Sequence, residues 1–392
     1  MRVPYTDAAS DGVSAVRRGG LPLSDRPTSA RVDLQALAHN FAEVVRRAED
    51  RKILAVVKAQ AYGHGAVPVS RRLLGLGADM LGVALIEEGR ELRAAGIDAP
   101  ILVMGAEFPE QAEAIAALQL IPALTSMSVA RALSTAAKKL KINVSVHVKI
   151  DTGMGRIGIS PDEAPGFVAA LRKLPGIEVQ GLMTHFADAD LRDKEFASIQ
   201  LDRFEALVKG LDARGMSIPV RHAANSSAIL DYRRALFTMV RPGLMLYGYN
   251  PLEGGAVKAD LRPVLSLTTR IAFLKKVPAG VPISYGRTFV TNRESLIATL
   301  PIGYADGYSR ALSNKGEALV RGVRAPVVGR VCMDMCMIDV TGVPAVSEGD
   351  EVLLIGSQGN ERITAEDIAA KTGTIAYEVL CGISSRVPRI YL

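Results

Sequence analysis

The chain has 392 residues, of which 48% are hydrophobic and 22% charged, enough apolar content for more than one core. Its net charge of +6 comes without long Lys/Arg runs, with 5% aromatics and no Trp, which argues against a nucleic-acid surface and suits small anionic ligands equally well. Cys332, Cys336 and Cys381 are too few and too scattered for a disulfide framework, no Cys/His cluster has metal-ligand spacing, and no apolar run approaches the ~18 residues of a membrane span. The expectation is a reduced cytoplasmic protein with no metal, no nucleic acid and no membrane as partner.

In chain order, residues 1–29 are polar, turn-rich and weakly periodic, and read as an extension or a disordered arm. Between residues 30 and 262, short β-rich runs alternate with amphipathic helical patterns. The predicted strands are Ile53–Val57, Leu81–Leu85, Ile101–Met104, Ile121–Leu124, Val144–Ile150, Val179–Thr184, Val220–Ala223 and Met239–Arg241. Helices are predicted between them, as in Pro109–Leu118, Val129–Leu140 and Ser198–Ala213. Eight strand–helix units specify an α/β fold of the (β/α)8 barrel type. A doubly wound sheet is the rival, but no G-x-G-x-x-G follows the first strand. From 263 to 392 the texture turns to short β runs punctuated by Pro, Gly and Asn, with one helix at Ala365–Thr372, and reads as a smaller, mainly β domain.

Lys58 stands where the apolar run Ile53–Val57 gives way to a small-residue loop, so it falls at the C-terminal end of a barrel strand, the rim where barrel active sites gather. A lysine that captures an aldehyde needs a dry pocket and a rigid mount, and a strand end supplies both. A lone lysine there is as readily a side chain snorkelling to solvent. Other strand ends carry polar groups of their own: Asp151-Thr152-Gly153-Met154-Gly155-Arg156, Thr184-His185, His222-Ala223-Ala224-Asn225-Ser226 and Arg241-Pro242-Gly243-Leu244. In Val144–Asp151 the apolar residues alternate with Ser145, His147, Lys149 and Asp151, which puts Lys149 on the face toward the barrel interior. A buried ammonium there requires a partner, and a buried carboxylate is the simplest one.

These motifs, with Ala55–Gly65, Ser284-Tyr285-Gly286, Gly329–Asp334 and Arg386-Val387-Pro388-Arg389, resemble the alanine racemase family from about residue 30 to the end of the chain. One departure is Gln60, where that family usually carries Asn. The resemblance implies a pyridoxal 5′-phosphate (PLP) enzyme that interconverts L- and D-alanine for wall synthesis or alanine catabolism. Lys58 is then the lysine that carries the cofactor and one of two bases. Tyr285 is the second base, acting on the opposite face of the substrate carbon. A phenol is a weak base near neutral pH and needs cationic neighbours to work as a phenolate. The resemblance supplies them as His185 and Arg241, the arginine also reaching the pyridine nitrogen.

It likewise implies that Tyr62, Asn225, Ser226, Gly243, Leu244 and Tyr377 bind the cofactor, chiefly its phosphate. Arg156, the backbone of Met333 and the gate residue Tyr304 attend the substrate, and Lys149 carries a carbamate. Tyr285 and Met333 are expected to enter the site from a second copy of the chain, so a homodimer with shared sites follows. Taken alone, the Met333/Met335/Met337 alternation reads as a strand packing face and His185 as a core histidine. A broader amino-acid racemase on the same scaffold, a decarboxylase of the same barrel type and a non-catalytic PLP-binding barrel are the alternatives.

Overall fold

The computed structural model describes residues 26–392, so the predicted extension lies outside the described residues up to position 25. Residues 26–29 are described, and they belong to the fold. Thr28 is fully buried, its hydroxyl bonded to Thr269 Oγ1 at 2.8 Å and to Pro301 O at 2.9 Å. Strand β1 (Ser29–Val32) runs antiparallel to a strand that starts at Leu265, with Ala30 opposite Leu267, and parallel to Arg389–Tyr391. The first strand of the chain therefore pairs with the C-terminal sheet rather than with the barrel. The sequence "Arg-Pro-Thr-Ser-Ala-Arg-Val" has too short an alternation to announce this, because its partners lie more than two hundred residues away.

The barrel follows. Strands β2 (Lys52–Val56), β3 (Met80–Val83), β4 (Ile101–Val103), β5 (Ile121–Leu124), β6 (Val144–Lys149), β7 (Ile177–Met183), β8 (Val220–His222) and β9 (Met239–Val240) lie in the order β8-β7-β6-β5-β4-β3-β2-β9, with parallel ladders between neighbours. The ladder is nearly closed. Across the remaining seam, Thr238 N–H donates to Arg221 O at 3.0 Å and Arg241 N–H to Ala224 O at 2.9 Å. Parallel strands covered on both faces need continuous apolar runs, and β3, β4 and β5 are buried at every position.

Helices are capped by their own sequence. Asp33 accepts from the N–H groups of Gln35 and Ala36 ahead of Leu34–Ala48, whose Leu37, Phe41 and Val44 form the buried stripe. Asn40 interrupts that stripe and is fully buried, but its amide bonds Leu246 O, Arg262 O and Arg262 N–H, which tethers the helix to the segment entering the second domain.

That second domain holds β10 (Leu265–Arg270) in a sheet ordered Val323–Pro326, Glu317–Val320, Glu351–Gln358, β10, β1, Arg389–Tyr391. A smaller sheet joins Phe273–Val277, Ser295–Leu300 and Cys336–Asp339. One of the short β runs read from sequence in this half, Val327–Val331, is no strand: it makes only a single bridge, from Val327 to Ile338. The helix at Ala365–Thr372 is where the sequence places it, while Ala376–Cys381 is a further helix that the sequence reading lacks.

One irregularity in the barrel is needed by the site. The register between β6 and β7 shifts after Val146, so that Val146 faces Val179 but His147 faces Gly181. A Cβ on Gly181 would lie 2.3 Å from the His147 ring, which fills that space. Gly181→Ala should therefore lower unfolding stability by about 1–3 kcal/mol through overpacking, read as a reduced urea midpoint with an unchanged slope.

Candidate active site

The loops after the barrel strands enclose a cavity of about 590 Å³ at the C-terminal rim. Lys58, Tyr62, Lys149, Arg156, His185, Asn225, Ser226, Arg241, Gly243, Leu244 and Tyr377, eleven of the residues singled out from sequence, all line it. Five different strand–loop junctions and the helix Ala376–Cys381 supply them, which is the convergence a barrel mouth produces.

Lys58 leaves β2 into a turn of unusual hand. Ala59, Gln60, Ala61 and Tyr62 have φ of 50, 54, 52 and 55°, a left-handed helical turn of four non-glycine residues closed by Gly63 at φ 85°. L-residues resist that hand by about 1–2 kcal/mol each, so the surroundings must impose it. Glu88 accepts from Ala59 N–H at 2.6 Å while also holding the N–H groups of Ala84 and Leu85. Inside the turn Ala61 N–H reaches Val57 O at 2.8 Å and Gly65 N–H reaches Gln60 O at 2.7 Å. The C-terminal domain closes over it, Arg389 donating to Gly63 O at 3.0 Å. Gly63 admits no side chain, since a Cβ would meet Leu380 O at 2.2 Å. The turn aims Lys58 into the cavity and places Tyr62 beneath it. Burial, then the neighbouring Arg156 charge, hold the Lys58 ammonium below its ordinary pKa.

Gln60 does not line the cavity. Its amide bonds Glu91 at 2.6 Å and Ala66 N–H at 3.2 Å on the outer side of the turn.

Arg241 is buried to 3% exposure and has acceptors on one side only. Its Nη2 donates to Thr184 O at 2.8 Å and Ala223 O at 3.0 Å and lies 3.3 Å from His185 Nδ1, while Nη1 lies 3.2 Å from His222 Nδ1. Guanidinium only donates, so both imidazoles must accept through Nδ1. Neutral His222 then carries its proton on Nε2 and donates it to His147 Nδ1 at 2.9 Å. His147 in turn carries its proton on Nε2, a buried atom with no partner among the described residues. The pKa directions agree with this assignment. Burial, then the Arg241 charge, push His147 down to about 3 and His185 well below the imidazole range; burial, then His147 and Arg241, do the same to His222. Burial also brings Arg241 down to about 10. The Arg241 Nε–H and the second Nη1–H find no acceptor among the described residues, so the cavity side of the guanidinium keeps donors to spare.

Sequence reasoning did not assign His147 and His222, although one stands on the polar face of β6 and the other ends β8. The signal was the alternation of His147 with Lys149 and the place of His222 at a strand end.

Lys149 is 4% exposed, and no carboxylate forms an ion pair with it among the described residues. Burial, then Arg241 and Arg156, bring its pKa down to about 7, against a smaller opposite pull from Asp151. The carboxylate of Asp151 is engaged elsewhere, accepting from Gly153 N–H at 2.9 Å and Gly155 N–H at 3.0 Å. A buried carboxylate partner for Lys149, the simplest sequence expectation, is therefore not what the fold provides.

At the other end of the cavity the hydroxyls of Tyr62, Ser226 and Tyr377 gather. Burial raises the pKa of both phenols, Tyr377 to about 12, so they are neutral donors. Gly243 lets the Tyr62 hydroxyl come close, because a Cβ there would lie 2.7 Å from it and force the ring to shift. Its N–H is already bonded to Ser226 Oγ at 2.8 Å, whereas the Leu244 N–H has no partner among the described residues. Asn225 caps the helix Ser226–Asp231 through Ala228 N–H.

Three expected residues are not in this cavity. Tyr285, Met333 and Tyr304 lie in the C-terminal domain at 72, 52 and 42% exposure and line none of its wall. Within one chain the Lys58 side of the site is assembled and the Tyr285 side is not.

Two family models match the chain, "Alanine racemase, N-terminal domain" over residues 32–251 and "Alanine racemase, C-terminal domain" over residues 264–391. An alanine racemase from Halothermothrix orenii is 52% identical over 367 residues, covering 93% of this chain and 97% of that protein. Another, from Desulfovibrio desulfuricans, is 46% identical, covering 94% and 99%. Among solved structures, the alanine racemase of Bacillus anthracis with bound L-Ala-P superposes with a TM-score of 0.89 at 39% identity, covering 95% of this chain and 96% of that one. The alanine racemase of Clostridium difficile does so with a TM-score of 0.88 at 40% identity, covering 93% and 96%. With both halves matched and the cavity built from the residues that the resemblance selects, this chain belongs to the alanine racemase family.

Proposed function

We propose that this protein is a cytoplasmic, PLP-dependent enzyme that interconverts L- and D-alanine, working as a homodimer in which each site draws on both chains. The observation that carries the reading is one cavity that holds a lysine of lowered pKa at one strand end and an arginine, held by neutral histidines, at another.

The residues fit the cofactor at both of its polar ends. Neutral hydroxyls of Tyr62, Ser226 and Tyr377 with the unpaired Leu244 N–H suit a phosphate, and the spare donors of Arg241 suit a ring nitrogen. When bound, PLP supplies an aldehyde that captures an amine and a conjugated ring that stabilises negative charge at the substrate α-carbon. Lys58 holds and moves the proton on one side of that carbon. Its lowered pKa, from burial first and Arg156 second, makes the free amine available as a base.

Inverting a carbon centre requires a second base on the opposite side. Tyr285, exposed on its own chain, is assigned that role in the partner's cavity. Met333 and Tyr304 are assigned to the substrate carboxylate and the entrance of the same neighbouring site. Arg241 donates a hydrogen bond but gives up no proton, since even when buried its guanidinium stays far more basic than a pyridine nitrogen. This keeps the ring a modest electron sink and disfavours side reactions that need a longer-lived carbanion. Arg156 orients the substrate carboxylate.

Lys149 is assigned a carbamate. Its amine, near half-neutral at pH 7, attacks the carbon of CO2; a C–N bond forms, one C=O electron pair moves onto oxygen, and an Nζ proton leaves to solvent. The product is an anion placed among Arg156 and Arg241, where an ammonium would repel both.

A broader amino-acid racemase is the second reading, but Gln60, the departure that favoured it, points away from the cavity. Turnover followed by circular dichroism should be largest for alanine and far smaller for serine and lysine; comparable rates would select the broader reading.

Lys58→Ala should abolish cofactor capture seen by absorbance. Tyr285→Phe should retain capture and slow α-proton removal from one enantiomer by at least about a hundredfold, read by exchange into deuterated solvent; equal slowing of both enantiomers would sink the two-base scheme. With ¹³C-bicarbonate, the protein should give a carbonyl resonance that Lys149→Ala lacks. Arg241→Glu should raise the fraction of turnovers that end in transamination, and unchanged partitioning would count against the role given to the arginine.

A further inference from the structure

Asp306 is a fully buried carboxylate that none of the chemistry above uses. It ends the one-turn helix Tyr304–Asp306, directly beside the proposed gate residue. Arg26 grips it with both arms of its guanidinium, at 2.7 and 2.6 Å. Gly303 N–H donates to it at 3.0 Å and Arg386 Nε approaches to 3.4 Å. Arg26 also donates to Pro301 O at 3.0 Å and to Arg386 O at 3.2 Å. Arg386 carries the chain onward, bonding Asp334 Oδ1 at 2.7 Å, one residue past Met333. Burial pulls the Asp306 pKa up, but the hydrogen bonds from Arg26 and Gly303 and the two arginine charges bring it below its ordinary value. A buried carboxylate so held is a fixed anchor, and breaking one arm leaves a charge uncompensated.

What hangs on the anchor is specific. Tyr304 N–H bonds Cys332 O and Ala305 N–H bonds Met333 O, each at 3.0 Å. Gly303 fits between them only without a side chain, since a Cβ would lie 2.3 Å from Cys332 O and 2.4 Å from Met333 O. The Tyr304 turn and the Cys332–Asp334 loop therefore move as one block. Arg26 joins that block from 280 residues away in sequence. It does not line the Lys58 cavity, and its hydrogen bonds to the described residues go to Asp306, Pro301 and Arg386.

We propose that Arg26 is a positioning residue for the neighbouring active site: by clamping Asp306 it sets where this chain's Met333 and Tyr304 meet the substrate held by the partner's lysine. The proposal rests on the shared-site dimer described above. Its consequence is directional, because Arg26 serves the site to which its own chain lends residues, and not the site built on its own Lys58.

Mixed dimers carrying two affinity tags test this. In the first arrangement one chain bears Lys58→Ala and the other Arg26→Ala, so the single lysine-bearing site borrows from a chain whose Arg26 is intact. In the second, both substitutions sit on one chain and the other is unaltered, so that site borrows from a chain lacking Arg26. The second arrangement should raise KM for L-alanine roughly tenfold with kcat changed less than about twofold. The first should keep the KM of a dimer bearing Lys58→Ala alone. Arg26→Lys, which keeps the charge without the fork, should fall between. Equal KM in the two arrangements, whether both raised or both normal, overturns the proposal. The same pair built with Tyr285→Phe in place of Arg26→Ala tests sharing itself. If those two arrangements are equally active, the shared-site reading fails; if they differ while the Arg26 pair does not, only the role of Arg26 fails. Arg26 is partly exposed, so Ala is tolerable there. Asp306→Asn, which keeps the Gly303 contact and weakens the fork, must show the same dependence on arrangement.

Discussion

The constraint on which the rest of this structure depends is a concentration of positive charge at the barrel mouth, with Lys149 and Arg241 buried in it. Lys58, Lys149, Arg156 and Arg241 line one cavity, and none of them forms an ion pair with a carboxylate among the described residues. The fold meets the cost in the only ways open to it. Lys58 and Lys149 are driven toward their neutral forms. Arg241, which cannot follow, is given backbone carbonyls and two imidazoles that burial keeps neutral. A site with unspent positive potential is specific for anions, and an amino acid bound through its carboxylate beside a phosphate is the kind of ligand it rewards. The histidines matter for the same reason: protonating any of them would add another cation to a cluster that no carboxylate side chain among the described residues pairs with.

The second constraint is backbone strain. Four left-handed non-glycine residues after Lys58 cost on the order of 4–8 kcal/mol in isolation, a sum comparable to the net stability of a whole domain. Such a turn survives because two separate parts of the chain clamp it. Glu88 fastens its start from within the barrel, and Arg389 fastens its end from the C-terminal domain, while also bonding the carbonyls of Ile383, Ser384 and Val387. The same docking stacks Tyr377 near Tyr62, with ring centroids 5.9 Å apart. The C-terminal domain is thus part of the Lys58 site in its own chain through the tail, and presents Tyr285 and Met333 away from it.

How much of this the sequence discloses follows from the range of the interactions involved. The barrel strands were readable because a parallel strand covered on both faces must be an unbroken apolar run, and β5 falls on the predicted Ile121–Leu124. The cavity residues were readable because barrel geometry carries every strand end to one rim. The left-handed turn was not, since Ala59, Gln60 and Ala61 have no intrinsic preference for it and the carboxylate and arginine that impose it are distant. Strand β1 escaped for the same reason: four residues gain their identity only from partners at Leu265 and Arg389. His147 and His222 were visible as residues but not as a relay, because the two hydrogen bonds from Arg241 through His222 to His147 depend on a register shift opposite Gly181 that no local pattern encodes.

Both ends of the described chain lie in one sheet, β1 against Arg389–Tyr391, and this topology has a functional reading. The residues just before β1 hold Asp306, and the residues just before the final strand include Arg386, which holds Asp306 and Asp334. The tail that follows supplies Arg389 to the Lys58 turn. One sheet edge thereby fixes two blocks of the chain, the turn that aims Lys58 and the block that carries Tyr304 and Met333. That edge sets the distance between the two blocks. A rigid sheet of paired strands keeps such a distance better than a flexible linker between independent domains could. The pairing of β1 with the final strand is therefore part of what holds the Lys58 turn in place, even though neither strand carries a reacting group.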